Sequence, residues 1–340
     1  MREEALSAPT QVALQLARDG DTYAQLAQRL RERPDAAWLT LARGSSDHAA
    51  HHLAYLVMAR LGRPVTSLPM SLLTLYRAPL PAPRCVALAL SQSGQSPDLV
   101  EPTRQLREAG ATTVAIVNDT ASPLAAAAAH VLPLHAGPER SVAATKSFIA
   151  QLVAGVRLLA TWQGDAALAA ALHTLPEVLD RAAARGCAAT LGLPADARQA
   201  YIVARGPALA VALEVALKLK ETCGLQAEAF SGAELAHGPL TMVQPGWPVL
   251  LLAPRGPAQA GLVALAHQLH DRGALVSLLA PPGTPATDGL HRIESEPAAD
   301  EALETIAMVQ MLYPMIESLA RRRGRDPDHP PGLHKVTLTR

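Results

Sequence analysis

Short apolar runs alternate with segments of helical periodicity along most of the chain. Apolar residues recur at helical spacing over positions 9 to 32 and predict an N-terminal helical segment. Beyond it, each of the runs AWLTL, CVALALS and TTVAIV precedes a turn or a helix-period segment. Strands that are apolar along their whole length are typical of parallel sheets with helices on both faces. The alternation therefore predicts an α/β fold.

The second half of the chain repeats the first. Arg43 and Gly44 recur as Arg205 and Gly206, and Gly94 recurs as Gly256, both at an offset of about 162 residues. A constant offset predicts two tandem α/β domains, each a parallel sheet sandwiched between helices, followed by a C-terminal tail. Gly, Pro and Asp interrupt the pattern near residues 192 to 199. We place the first domain at residues 1–192 and the second at residues 193–340.

The turn after the run CVALALS carries candidate ligand-binding groups. Ser91, Ser93 and Ser96 cluster there, and Ser96 and Pro97 suit the start of a helix. A strand, a polar turn and a helix together present backbone N–H groups and the positive end of a helix dipole, which suits phosphate. An ordinary capped loop is the alternative. The second copy has APRG where the first has SQSG, so we expect phosphate in the first domain alone.

Composition excludes several classes of function. Thirty basic and thirty acidic residues cancel, so we expect no nucleic-acid partner. The N-terminal stretch MREEALSAPT is acidic and polar, and no apolar run is long enough to span a bilayer, so we expect a cytoplasmic protein without membrane contact. Three cysteines without CxxC spacing predict buried thiols rather than a disulfide framework or a zinc site.

Metal and cofactor motifs give no positive signal. His48 and His52 have helical spacing that could bind a metal, but no HExxH pattern or third ligand accompanies them, so we expect no metal site. Neither the GxGxxG nor the GxxxxGK[ST] pattern occurs, so we expect no nucleotide cofactor.

A helix and the loop after it carry candidate acid–base groups. Glu214, Lys218 and Glu221 share one helix face, where a solvated ion-pair surface is the alternative reading. The segment LQAEAFSGAELAHGPL then adds carboxylates and His237. Carboxylates and a histidine close together suit aldose–ketose proton transfer, in which one group moves a carbon-bound proton and another opens the sugar ring.

Six specific motifs carry a resemblance to a known family. They are ARGSSDHA, SQSGQSPD, SVAATKSF, ALEVALKLKE, AEAFSGAELAHGP and the terminal LHKVTLT. With them the chain resembles the isomerase half of glucosamine-6-phosphate synthase, a tandem pair of sugar isomerase (SIS) domains. The resemblance implies a phosphosugar substrate bound by Ser46, Ser91, Gln92, Ser93 and Ser96, with Val142 lining the sugar. It implies Glu221 as catalytic base, His237 as the ring-opening group and Lys335 at the sugar carbonyl. It also implies a homodimer in which His237 acts across the interface.

The departures from that family matter for function. The synthase has SQSGET where this chain has SQSGQSPD, and Ala144 replaces a serine usual in VASTK. The sequence begins with Met1 and Arg2, without the catalytic cysteine that starts the glutaminase half, so we expect no use of glutamine. The pattern resembles the synthase-like deaminases of glucosamine 6-phosphate and the fructosamine-phosphate deglycases. We therefore expect a deaminase. A deglycase or a ketose–aldose isomerase is the alternative enzyme, and a non-catalytic phosphosugar sensor is the alternative of another class.

Overall fold

A computed structural model describes residues 1–284 and 290–335, and this part of the chain contains two five-stranded sheets. The strands are β1 (Ala37–Leu41), β2 (Val65–Ser67), β3 (Cys85–Ser91), β4 (Thr112–Val117), β5 (His130–Pro133), β6 (Gln199–Ala204), β7 (Gln226–Ser231), β8 (Pro248–Leu252), β9 (Leu275–Ala280) and β10 (His291–Glu294). The helices are α1 (Arg2–Leu16), α2 (Gly20–Arg31), α3 (Gly44–Leu61), α4 (Ser71–Thr74), α5 (Pro97–Glu108), α6 (Pro123–Ala127), α7 (Lys146–Gln163), α8 (Ala166–Ala188), α9 (Leu209–Cys223), α10 (Gly232–Ala236), α11 (Gln259–Asp271) and α12 (Glu301–Arg322).

The two sheets have the same topology. The strand orders are β2-β1-β3-β4-β5 and β10-β9-β8-β6-β7, and the strand pairs are parallel. Counted from its own first strand, each sheet has the order 2-1-3-4-5. β1 and β6 begin at Ala37 and Gln199, which matches the predicted offset of about 162 residues. The α/β fold with two tandem domains is therefore confirmed.

The strand order fixes where a ligand can bind. In an open parallel sheet, ligands bind beyond the carboxyl ends of the strands, at the point where the order reverses. That point lies between β1 and β3 in the first sheet and between β6 and β8 in the second. The first of these crevices receives the serine-rich turn that follows β3.

The chain forms two compact units, each with its own sheet. The first-sheet unit contains Thr10–Glu139, Lys146–His173 and, of the described C-terminal residues, His334 and Lys335. The second-sheet unit contains Met1–Pro9, Arg140–Thr145 and Thr174–Leu333. Domain boundaries at residues 1–192 and 193–340 stay a prediction.

Both cores follow from apolar strands covered on two faces. β4 and β8 are buried at every position, and β3 is buried at every position after Cys85. The helices α7 and α12 are buried on nearly all sides, which accounts for their lack of a polar stripe. Among the described residues, no helix is long and apolar enough to cross a membrane.

Three details differ from the sequence-based expectations. The N-terminal helical segment begins at Arg2 and is divided into α1 and α2, with Asp19 in the left-handed region at φ 58° between them. Cys223 is buried, but Cys187 is exposed and Cys85 is half-buried, so the expectation of buried thiols is wrong for Cys187. Of the terminal motif LHKVTLT, the positions after Lys335 lie outside the described residues.

His52 is fully buried in α3, and its two ring nitrogens have no hydrogen-bond partner among the described residues. Burial lowers the pKa of His52 from 6.5 to about 3, and the charges of His51 and Arg60 act in the same direction. The folded protein therefore holds a neutral imidazole, whereas the unfolded chain takes up a proton below pH 6.5. Protonation of this one residue favours unfolding.

We expect the stability of the protein to fall as the pH decreases from about 6.5 toward 5. Below pH 6.5 the His52 contribution approaches about 1.4 kcal/mol per pH unit, because the proton binds the unfolded chain alone. His52→Leu should reduce the slope of unfolding free energy against pH by this amount. Leu56→Ala, on the same buried helix face, is the control: it should lower stability at every pH and leave the slope unchanged. Equal slopes in wild type and His52→Leu would contradict the assignment.

Candidate functional site

The loop between β3 and α5 is built around a glycine. Gly94 has φ +63°, and a Cβ atom there would lie 2.1 Å from Oγ of Ser122. Its peptide N–H donates to Oγ of Ser91 over 2.9 Å, and the N–H of Gln95 donates to Oγ of Ser93 over 3.3 Å. Asn118 N donates to the carbonyl of Gln92 over 3.3 Å. The loop is held to the sheet by its backbone, and Gln92, Ser93 and Ser96 stay partly exposed.

Ser96 occupies the N-cap position of α5 and Pro97 its first turn, as expected, but the Ser96 side chain makes no capping hydrogen bond. Its hydroxyl donates instead to Oδ1 of Asp98 over 2.7 Å. Asp98 is buried and also accepts from Nε of Arg43 over 3.0 Å. Arg43 precedes α3, so this ion pair joins the loop after β1 to the helix after β3.

Ser46 lies in the first turn of α3, at the carboxyl end of β1. Its Oγ accepts a 2.9 Å hydrogen bond from Nε2 of Gln151, a buried residue of α7. Strands β1 and β3 are neighbours in register, with Leu41 opposite Ala89. Ser46 and the Ser91–Ser96 loop therefore face the same crevice of the first sheet.

The matching loop of the second sheet is closed by the chain's own carboxylate. Arg255 stands where the first copy has Ser93, and its peptide N–H donates to Oε1 of Glu304 over 2.7 Å. Its Nε donates to Oε2 over 2.8 Å, and Glu304 is fully buried. A Cβ atom at Gly256 would lie 2.6 Å from the carboxyl carbon of Glu301. Across residues 1–284 and 290–335, no carboxylate is recorded at the peptide N–H of Ser93. The two copies thus differ in whether a carboxylate of the chain itself already accepts from the peptide N–H at this loop position.

Glu221 belongs to a buried cluster of charges on α9. Lys218 forms an ion pair with Glu221 and lies 3.6 Å from Oε1 of Glu214. The hydroxyl of Tyr313, on α12, donates to the same oxygen of Glu214 over 3.2 Å. The side chains of Lys218 and Glu214 are 1% and 0% exposed, against 22% for Glu221. The alternative of a solvated ion-pair face is therefore wrong: of the three charges, Glu221 alone reaches solvent.

The structure separates Glu221 from His237. Glu221 lies in the last turn of α9, which ends shortly before β7 begins. His237 follows α10, which begins directly after β7 ends. β7 has six residues, which span roughly 17 to 20 Å. The two residues therefore belong to segments that meet opposite ends of β7. The expected crowding of a carboxylate and a histidine does not extend to this pair, and His237 is exposed.

Lys335 and Val142 lie in different units. In the first-sheet unit, Nζ of Lys335 lies 3.0 Å from Oε2 of Glu139. In the second-sheet unit, the peptide N–H of Val142 donates to the carbonyl of Asp328 over 3.2 Å, and Val142 is half-buried.

The sequence reasoning missed two residues near these candidates. Tyr313 donates a hydrogen bond to Glu214 from a helix about a hundred positions away in the sequence. Local sequence patterns do not predict such a contact. Glu139 lies just before the motif SVAATKSF, and a buried carboxylate needs a partner, but the partner is distant in sequence. In the part of the chain that the structure describes, no group of three or more His, Cys, Asp or Glu could hold a metal ion. His52 is fully buried, whereas His48 is half-buried.

Comparisons with known proteins agree with this architecture. The family model described as SIS domain matches residues 38–161 and 195–313. The glutamine-fructose-6-phosphate aminotransferase (isomerizing) of Methanothermobacter thermautotrophicus is 32% identical over 302 residues, covering 86% of this chain and 50% of that protein. Its counterpart in Aeropyrum pernix is 32% identical over 318 residues, covering 88% and 50%. The chain thus spans about half the length of the curated relatives it matches.

Solved structures give the same result. A Silicibacter pomeroyi protein assigned as a phosphosugar isomerase is 40% identical, with a TM-score of 0.87 and coverage of 96% of this chain and 99% of that one. The glucosamine-6-phosphate deaminase of Thermotoga maritima shares the fold, with a TM-score of 0.76 at 21% identity and coverage of 99% and 100%. Two copies of one strand order, two matched segments and these relatives lead to one conclusion: the chain belongs to the SIS-domain family, as a tandem pair similar to the isomerase half of the aminotransferase.

Proposed function

We propose that the chain is a glucosamine-6-phosphate deaminase, an enzyme that converts the amino sugar phosphate and water to fructose 6-phosphate and ammonia. The observation that carries the proposal is the buried cluster of Glu214, Lys218 and Glu221. Burying an ammonium with two carboxylates costs free energy unless the groups are well paired. A protein that only senses a phosphosugar needs the serine loop but has no use for this cluster, so an enzyme is the better reading.

The first-sheet crevice holds the phosphate in this proposal. Ser46, Ser91, Gln92, Ser93 and Ser96 supply hydroxyl, amide and peptide donors to the phosphate, and Val142 contacts the sugar. The second crevice is not used, because the Glu304 carboxylate already occupies the equivalent donors of Arg255.

Three side chains divide the chemistry. As the ring opens, His237 protonates the ring oxygen and the C1 hydroxyl gives up its proton, which leaves an aldehyde at C1 with the amine on C2. Glu221 takes the C2 proton and returns it to C1, while the C1 oxygen regains a proton and the amine nitrogen loses one. C1 thereby becomes a hydroxymethyl group and C2 an imine. Water adds at C2, ammonia leaves, and the ketose phosphate remains. Lys335 contacts the carbonyl end of the open sugar. No metal or nucleotide takes part.

The motif SQSGQSPD favours release of ammonia over its capture, because it resembles the deaminase class rather than the synthase. A cytoplasmic location belongs to the same proposal, because a charged sugar phosphate does not cross a bilayer unaided.

A homodimer with a composite site is the second part of the proposal. In one chain, Glu221 lies in the helix that ends shortly before β7, and His237 follows the helix that begins where β7 ends. If both act on one substrate molecule, His237 comes from a second copy. Its exposure suits that role, since a histidine acting across an interface is open to solvent in the single chain.

We expect Ser91→Ala combined with Ser93→Ala to raise KM for the sugar phosphate by tenfold or more. Each hydrogen bond to the charged phosphate contributes roughly 1.5 to 3 kcal/mol, and about 1.4 kcal/mol is a factor of ten. The single variant Ser93→Ala keeps the hydrogen bond within the loop that Ser91 accepts from the peptide N–H of Gly94. It therefore separates loss of phosphate binding from loss of that loop contact. The control is Pro254→Ala in the second copy, whose KM should stay near that of wild type. An equal rise in both would exclude a phosphate site restricted to the first domain.

Glu221→Gln should lower kcat by about 10²-fold or more, because the amide keeps the size of the side chain but cannot accept the proton. KM should change little. The assay measures ammonia released from glucosamine 6-phosphate and solvent deuterium at C1 of the product. Glu177→Gln, an exposed carboxylate of α8, is the matched control.

The same assay separates the alternatives. Binding of glucosamine 6-phosphate without ammonia release or proton exchange would favour the sensor. Exchange on unaminated sugar phosphates alone would favour the ketose–aldose isomerase, and turnover of fructosamine phosphates alone would favour the deglycase.

Mixing Glu221→Gln with His237→Ala should restore part of the activity that each variant lacks. Random exchange of subunits forms heterodimers in which one of the two sites has both native groups. Native mass spectrometry of isotope-labelled subunits checks that exchange has occurred. No recovery in an exchanged mixture would mean that both groups act within one chain.

A further inference from the structure

The tail lysine is bound by a carboxylate far away in the sequence. Nζ of Lys335 lies 3.0 Å from Oε2 of Glu139, and 196 positions separate the two residues. Both belong to the first-sheet unit, the unit that contains the Ser91–Ser96 loop. The Lys335 side chain is 27% exposed, whereas that of Glu139 is 0% exposed.

The carboxylate is held in place without the help of the tail. Oε1 of Glu139 accepts from the peptide N–H of Ser147 over 3.0 Å, and Oε2 accepts from its hydroxyl over 2.7 Å. Ser147 is the second residue of α7, so this N–H is one of those that the helix leaves without an internal partner. The helix dipole further stabilises an anion at this position. Glu139 is therefore a fixed negative group to which a mobile ammonium can bind.

This ion pair differs from an ordinary surface salt bridge. An exposed pair contributes little, because water competes with it and both side chains lose freedom. Here one partner is buried, and removing the ammonium leaves a buried carboxylate less well compensated. The pair therefore favours the position that the Lys335 ammonium has beside Glu139.

We propose that Glu139 is a positioning residue that docks Lys335 on the first-sheet unit and so orients the lysine for the substrate. This rests on the proposed function in that Lys335 is the group at the sugar carbonyl. Glu139 acts through Lys335 and does not touch the sugar. Its loss should lower kcat and leave KM nearly unchanged, because the serine loop that binds the phosphate is untouched.

The docking is tested by chemical labelling of lysines, independently of any activity. The chain has only four lysines, so acetic anhydride labelling can be followed at each of them by mass spectrometry. Lys220 is exposed and serves as the internal reference, and Lys218, 1% exposed, reports loss of the fold. Glu139→Gln should raise the rate at Lys335 relative to Lys220 by about tenfold. Glu108→Gln, an exposed carboxylate of α5, is the control and should change no rate.

A second variant guards against misfolding. Ser147→Ala removes one donor to Glu139 and keeps its charge, so it should give a smaller rise at Lys335. If Lys218 also becomes reactive in Glu139→Gln, the comparison is made with Ser147→Ala instead. An unchanged rate at Lys335 in a folded variant overturns the docking.

Kinetics then test the positioning role. Glu139→Gln should reduce kcat at nearly constant KM, and Glu139→Asp, which keeps the charge, should recover part of the loss. An increase in labelling without a change in kcat overturns the positioning role. If wild type releases ammonia while the labelling and kcat of Glu139→Gln stay normal, this inference fails and the proposed function stands. If wild type turns over no amino sugar phosphate, the proposed function fails, and the labelling still decides whether Glu139 docks Lys335.

Discussion

Burial of parallel strands on both faces is the constraint from which the rest of the structure follows. The side chains of β4 and β8 are buried at every position, so a polar side chain there needs a partner, as Thr113 has in the peptide N–H of Ala129. Polar groups that are free to meet a ligand are therefore expected where strands end and helices begin. The strand order then reverses next to the first strand of each sheet, which opens a crevice beyond the carboxyl ends of the strands. Chemistry is confined to loops and helix ends that this framework holds in place.

The two copies of the framework use the same crevice differently. In the first copy, the loop after β3 presents serine hydroxyls and peptide donors around Gly94. In the second, the carboxylate of Glu304 binds the equivalent peptide N–H of Arg255 and pairs with its guanidinium. A duplicated fold therefore does not imply a duplicated site. The second sheet instead supports the α9 charges and the exposed His237.

Buried ionic contacts hold the side chains to which we assign chemistry. Lys218 is fixed beside Glu221, with Glu214 and Tyr313 behind it, and Glu139 is fixed by Ser147 beside Lys335. Such contacts are expensive where water is excluded, unless each charge has partners of good geometry. A carboxylate or ammonium that is held in this way loses little freedom when a substrate arrives, which is the basis of preorganisation.

The sequence by itself determined the α/β fold, the repeat and the serine turn, because periodicity, a constant offset and turn chemistry are local or self-similar signals. It also carried the motifs of the SIS family, and the site roles inferred from them stay predictions. Only the tertiary structure decided that the face of Glu214 and Lys218 is buried, that Glu304 closes the second loop, and that Glu139 meets Lys335. It also decided that α9, which carries Glu221, and α10, which precedes His237, meet opposite ends of β7. These facts depend on which distant elements pack together, and the spacing of residues along a chain does not encode such contacts.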